Sequence, residues 1–193
     1  MLLRGRALLA LAVVMVVGQA ASVTRAAGRE VLSFDNDWRF YKGDAPGAQN
    51  AAFDDASWRQ LDVPHDWAIE GPFAATNPTR GAGGFAPSGV VWYRKSFTLP
   101  PGATGKRVFV TFDGVMQNSD VYINGHHVGY TKSSRTPQRV DVTDLLDPGR
   151  PNLIAIKVCR WPEVKLEGIW EMAEIRRLWT GVYRPIKLEV TDR

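Results

Sequence analysis

A chain of 193 residues with 24 Lys and Arg against 20 Asp and Glu is long enough to bury one sizeable core. Its basic residues are scattered rather than gathered into a stripe, which argues against nucleic acid as a partner. One cysteine, Cys159, excludes an internal disulfide.

Met1 to Ala20 read as a secretory signal, with Arg4 and Arg6 at the positive start, an apolar run from Ala7 to Val17, and the small residues Gly18, Ala20 and Ser22 at the cleavage end. An apolar run of about a dozen residues falls short of the roughly 20 that span a bilayer. The expectation is a signal over residues 1–22 cut after Ala20 or Ser22, a secreted or periplasmic product, and no membrane attachment after cleavage. Removing two arginines and no acid lowers the formal charge from +4 to +2. The domain proper then covers 29–193.

In chain order, Val31 to Tyr41 is an aromatic segment broken by Asp35-Asn36-Asp37, which predicts two short strands around a turn. Lys42 to Asn50 is a Gly/Ala/Pro loop leading to F-D-D-A-S-W at Phe53, where Asp54 and Ser57 can satisfy backbone donors while Phe53 and Trp58 pack inward. Asp62 to Leu99 begins with V-P-H-D-W, passes through a long Gly/Pro loop and ends in the strand-like run Val91–Leu99. Loops of that length in a compact domain are commonly functional or disordered. Beyond it, Val108, Val110 and Phe112 alternate with Phe109 and Thr111. Asn124-Gly125 sits between apolar runs and predicts a tight hairpin, because both turn positions need positive φ. Val140 and Val142 mark another strand, Thr143–Leu146 a helical turn, Asn152–Cys159 a strand holding Cys159 as a small buried side chain, and Pro185–Val190 a last strand with Ile186, Leu188 and Val190 on one face.

Many short strands without βαβ alternation predict an all-β antiparallel sandwich or jelly roll. One short helix near the C-terminus is the exception: Leu166, Ile169, Trp170 and Ala173 fall at helical spacing opposite Glu167, Glu171 and Glu174. Those glutamates are read as a solvated face. His126 and His127, adjacent in a strand, point to opposite faces and do not chelate. His65 beside Asp66 has the look of an oriented base, but no Ser or Cys nucleophile accompanies it, and a structural hydrogen bond is the reading preferred. No cofactor motif is present: Gly81, Gly83 and Gly84 lack the strand and helix of a phosphate cradle, and no run of Asp has a metal-ligand spacing.

Six motifs in order, F-D-D-A-S-W at Phe53, P-H-D-W at Pro64, W-Y-R-K-S-F at Trp92, F-D-G-V at Phe112, N-S-D-V-Y-I-N-G at Asn118 and T-G-V-Y-R at Thr180, resemble the N-terminal sugar-binding domain of glycoside hydrolase family 2, the β-galactosidase group. The resemblance implies a galactose-binding-like jelly roll, a carbohydrate (β-galactoside-like) partner, and a parent enzyme whose immunoglobulin-like domain and (β/α)8 barrel follow this domain. The family's two catalytic glutamates lie on that barrel, so no catalytic residue is assigned here and the chain reads as noncatalytic, a fragment of such an enzyme. A free-standing lectin-like module is the other reading.

The candidate substrate-binding residues are Asp66, Trp67, Asn77, Arg80, Glu174 and Trp179. Exposed aromatic faces stack on sugar rings while polar neighbours fix hydroxyls, which nominates Trp67 and Trp179 over Trp38, Trp58 and Trp92 in their strand-like runs. Asn77 and Arg80 are either donors to sugar hydroxyls or part of a solvated loop. Some relatives carry an active-site Asp shortly before the G-I-Y-R motif; the resemblance sets Ile175 at about that place with Glu174 beside it, and the accompanying ion site is not carried over.

Overall fold

The computed structural model describes residues 24–26, 28–116, 118–131, 136–160 and 179–193. Their strands are β1 (Thr24–Ala26), β2 (Arg29–Ser33), β3 (Trp38–Lys42), β4 (Arg59–Leu61), β5 (Gly89–Phe97), β6 (Arg107–Phe112), β7 (Ser119–Ile123), β8 (His126–Thr131), β9 (Gln138–Asp141), β10 (Asn152–Arg160) and β11 (Ile186–Thr191). They form two antiparallel sheets, ordered β1-β2-β11-β6-β9 and β4-β3-β5-β10-β7-β8. This is the all-β sandwich expected from the alternating runs. The helix predicted over 163–178, and Glu174 with it, lies outside the described residues.

Register follows from the period of two, which sends alternate side chains to one face. In β10 Ile154, Ile156 and Val158 point inward and are fully buried, opposite Tyr93 and Val91 of β5. Val108, Val110 and Phe112 of β6 meet Val190, Leu188 and Ile186 of β11 in the facing sheet. The hairpin forms at Asn124 (φ 49°) and Gly125 (φ 86°), the two positive φ values that this turn requires. Asn124 also braces the next connection, donating to the Leu145 carbonyl at 2.8 Å and accepting from the Leu153 amide at 2.8 Å. Thr143–Leu145 is a single 3-10 turn.

Two expectations are corrected. Phe53 and Trp58 do not enter the core between the sheets. They pack on the outer face of the six-stranded sheet with Trp92, Tyr122 and Ala155, so the segment 43–58 straps that face. The reason is period-two alternation in β5: Tyr93 faces in, which turns Trp92 and Arg94 out, and an apolar ring there needs a cover. Arg94 is itself 2% exposed and grips the strap, donating to the Phe53 and Asn50 carbonyls at 3.1 Å each, with Asp55 at 3.3 Å. Cys159, one step from inward-facing Val158, falls on the same outer face and is half-buried rather than buried.

The outer face of the five-stranded sheet carries a 2% exposed carboxylate, Glu189, satisfied by Arg29 at 2.9 Å, Arg139 at 2.9 Å and the Thr111 hydroxyl at 2.9 Å. Burial works to raise its pKa, but these three donors hold it below the usual carboxylate range. Ile156→Ala, which empties a fully buried site between the sheets, is expected to destabilise the domain by about 2–5 kcal/mol, read as a lower urea midpoint.

Candidate functional site

At the end of the sandwich where β5 begins and β10 finishes, the V-P-H-D-W segment meets residues 179–184. Asp66 caps the 3-10 turn Trp67–Glu70: its Oδ1 accepts from the Ala68 amide at 3.2 Å and from the Thr180 hydroxyl. Thr180, fully buried, accepts from the same Ala68 amide at 3.0 Å. The His65 amide donates to the Val182 carbonyl at 2.6 Å. Gly181 lies under this crossing with φ +78°, and a Cβ there would stand 2.3 Å from the Tyr93 hydroxyl and 2.7 Å from the His65 carbonyl. Only glycine fits both the space and the backbone.

The His65 ring is held at both nitrogens, Nδ1 at 2.9 Å from the Tyr93 hydroxyl and Nε2 at 3.1 Å from Glu70 Oε1. Arg59 binds both oxygens of Glu70, at 2.8 and 2.9 Å. Burial pushes the Tyr93 hydroxyl far up, so it stays protonated. Burial also acts to raise Glu70, but the His65 hydrogen bond and Arg59 outweigh it and hold the carboxyl below its usual range. An ionised Glu70 can only accept, which assigns a proton to His65 Nε2.

The loop 72–88 is stapled to itself. Asn77 donates to the Pro72 carbonyl at 2.9 Å and the Phe85 carbonyl at 2.7 Å, and the Thr79 hydroxyl donates to the Ala86 carbonyl at 2.6 Å. Arg80, exposed and at φ 48°, stands at its tip before a 3-10 turn over Gly81–Gly83. Arg160, the last residue of β10 and 1% exposed, donates to the Pro87 carbonyl at 3.1 Å and the Gly83 carbonyl at 3.3 Å. Around this end Ile69, Phe73, Phe85 and Trp179 are exposed, and Trp179 stacks on Tyr183 with centroids 5.6 Å apart. Among the described residues no three His, Cys, Asp or Glu side chains converge to hold a metal ion.

The family model for "Glycosyl hydrolases family 2, sugar binding domain" matches residues 31–191. The chain belongs to that family. It is 40% identical over 170 residues to the β-galactosidase BoGH2A of Bacteroides ovatus, covering 88% of this chain and 20% of that protein. It is 33% identical over 162 residues to a putative β-glucuronidase of Formosa agariphila, covering 84% of this chain and 15% of that one. Among solved structures, a β-glycosidase from Bacteroides vulgatus superposes with a TM-score of 0.73 at 38% identity over 83% of this chain and 20% of its own. The chain thus spans 15–20% of the length of these three relatives.

Against that family background the candidate residues divide. Asp66 and Trp179 come together through Thr180. Arg80 stands on the loop with its side chain outward, and Asn77 uses its amide to staple the loop. Trp67 is 1% exposed, so its ring is engaged in the core and under Lys42, whose ammonium sits 5.1 Å from the ring centroid, and offers no open face for stacking. Three participants are new: Thr180, Tyr183 and Arg160. A signal for the last existed, since Arg160 continues the row Ile154, Ile156, Val158, and a cation in a core-facing register calls for an explanation.

Two measurements check this geometry. Gly181→Ala combines a positive φ with a collision against Tyr93 and is expected to cost about 1–3 kcal/mol or more in urea unfolding. Glu70, with its folded pKa depressed from 4.5, contributes stability that is present above that value and lost as pH falls through the lower folded pKa. In urea titrations from pH 6 to pH 3, Glu70→Gln is therefore expected to start less stable and to lose less on acidification.

Proposed function

We propose that this chain is the noncatalytic carbohydrate-binding domain of an exported β-galactosidase-like hydrolase, in which an immunoglobulin-like domain follows and a (β/α)8 barrel supplies the chemistry. The observation that carries the reading is the half-exposed Trp179 ring, backed by Tyr183 and set one residue from the Thr180–Asp66 hydrogen bond. A flat apolar face beside polar groups is the composition that saccharides recognise. In the whole enzyme, the long loop within Asp62–Leu99 closes one side of the barrel's pocket and places Asp66, Asn77 or Arg80 near the nonreducing sugar. Relatives named β-galactosidase and β-glucuronidase both match, and a neutral β-galactoside is the ligand proposed.

The carboxylates at this end fit binding better than hydrolysis. A retaining glycosidase needs two carboxyl groups about 5 Å apart with one kept protonated. Here Glu70 is held ionised, and Asp66 spends Oδ1 on the Ala68 amide and the Thr180 hydroxyl.

Titration of the 193-residue chain with methyl β-D-galactopyranoside, followed by NMR, tests the reading. Trp179→Ala is expected to weaken binding about tenfold, or about 1.4 kcal/mol. The same chain is expected to leave a chromogenic β-galactoside unhydrolysed. Unchanged affinity in both Trp179→Ala and Arg80→Ala would overturn the assigned contact face, and turnover would overturn the noncatalytic role.

A further inference from the structure

The hydrogen bonds of the loop 72–88 fall into two sets. One is internal: the Asn77 and Thr79 staples, the Phe85 amide to the Arg80 carbonyl at 2.7 Å and the Ala74 amide to the Phe85 carbonyl at 3.1 Å. These make the loop a unit without fixing where that unit sits. Among the described residues, the hydrogen bonds that leave the unit for the rest of the domain are the two from Arg160, to the Gly83 and Pro87 carbonyls.

Arg160 closes the inward-facing row of β10, where Ile154, Ile156 and Val158 precede it and Gly89 lies opposite in β5. Desolvating a guanidinium is costly by several kcal/mol, and a domain that needed only to fill this end would fill it with an apolar side chain. Arginine keeps its charge and offers several donors in one rigid plane, so one side chain can serve two carbonyls four residues apart; a lysine ammonium is a single point. Burial pushes the Arg160 guanidinium down from its ordinary value, and the negative charge of Asp66 acts against that push.

We propose that Arg160 is the positioning residue of this site, the fork that fixes the loop 72–88 on the sheet and so sets where Arg80 and Asn77 meet a saccharide. The saccharide half rests on the sugar-binding reading above; the loop-holding half stands on the geometry alone.

Hydrogen exchange on the 193-residue chain separates the two. In Arg160→Met, exchange in 72–88 is expected to speed up at least tenfold, while β6 and β11 in the opposite sheet stay within twofold of wild type. Arg160→Lys, which keeps the charge and loses the fork, is expected to show the same loop-limited acceleration and a weaker affinity for methyl β-D-galactopyranoside. Should the methionine variant fail to fold, the lysine variant decides. Wild-type exchange in 72–88, or acceleration spread evenly over both sheets, would overturn the proposal. Failure of the wild-type chain to bind the galactoside would overturn the saccharide reading, and the exchange ratio would still decide whether Arg160 holds the loop.

Discussion

The site end of this domain depends on one buried amide. Ala68 donates its N–H to two side-chain acceptors, Asp66 two residues away and Thr180 at a separation of 112 residues, and those acceptors are hydrogen-bonded to each other. Asp66 could match that amide alone, but the fully buried Thr180 hydroxyl also needs a partner, and a buried polar group left unmatched costs about 1–3 kcal/mol, so the Trp67–Glu70 turn and the segment before the last strand meet. Once they do, Gly181 must pass beneath Tyr93 and His65, and Trp179, next to Thr180 in the chain, is delivered to the surface. The exposed aromatic is a by-product of how this end closes.

The domain solves a second problem the same way twice. Long irregular segments carry carbonyls that need donors, and two of those among the described residues are each anchored by one buried arginine whose two terminal nitrogens reach two carbonyls. Arg94 holds the strap 43–58 on the outer face of the six-stranded sheet through the carbonyls of Asn50 and Phe53. Arg160 holds the loop 72–88 through those of Gly83 and Pro87. Each has a negative charge acting on it among the described residues, Asp55 at 3.3 Å from Arg94 and Asp66 on Arg160.

Strand order aside, the framework was legible because alternation and turn chemistry are local. Val108, Val110 and Phe112, the Asn124-Gly125 turn, and Ile186, Leu188 and Val190 each declare their face from a few neighbours. What local pattern does not carry is which face of a strand will be covered. Trp58 and Phe53 look like core residues and are, but in a second cluster outside the sandwich, and that follows only once β5 is known to turn Trp92 and Arg94 outward. Trp67 and Trp179 were indistinguishable as tryptophans in loops, and burial separates them at 1% and 47% exposed. Spacing sets Arg160 in the core-facing row of β10, but which carbonyls it and Asn77 bind depends on loop segments brought near by the fold, for which spacing holds no sign.

Strand β11 lies in the interior of its sheet, between β2 and β6, although it comes last in the order of synthesis. At about 5–20 residues per second a ribosome takes on the order of 10 s to travel from β2 to β11. Until β11 is made, β2 and β6 have no strand between them, and Leu32, Val108 and Val110 lack the neighbours that Leu188 and Val190 provide in the finished sheet. The five-stranded sheet is therefore completed only by residues 186–191: without them its strands are two separate pairs, β1-β2 and β6-β9.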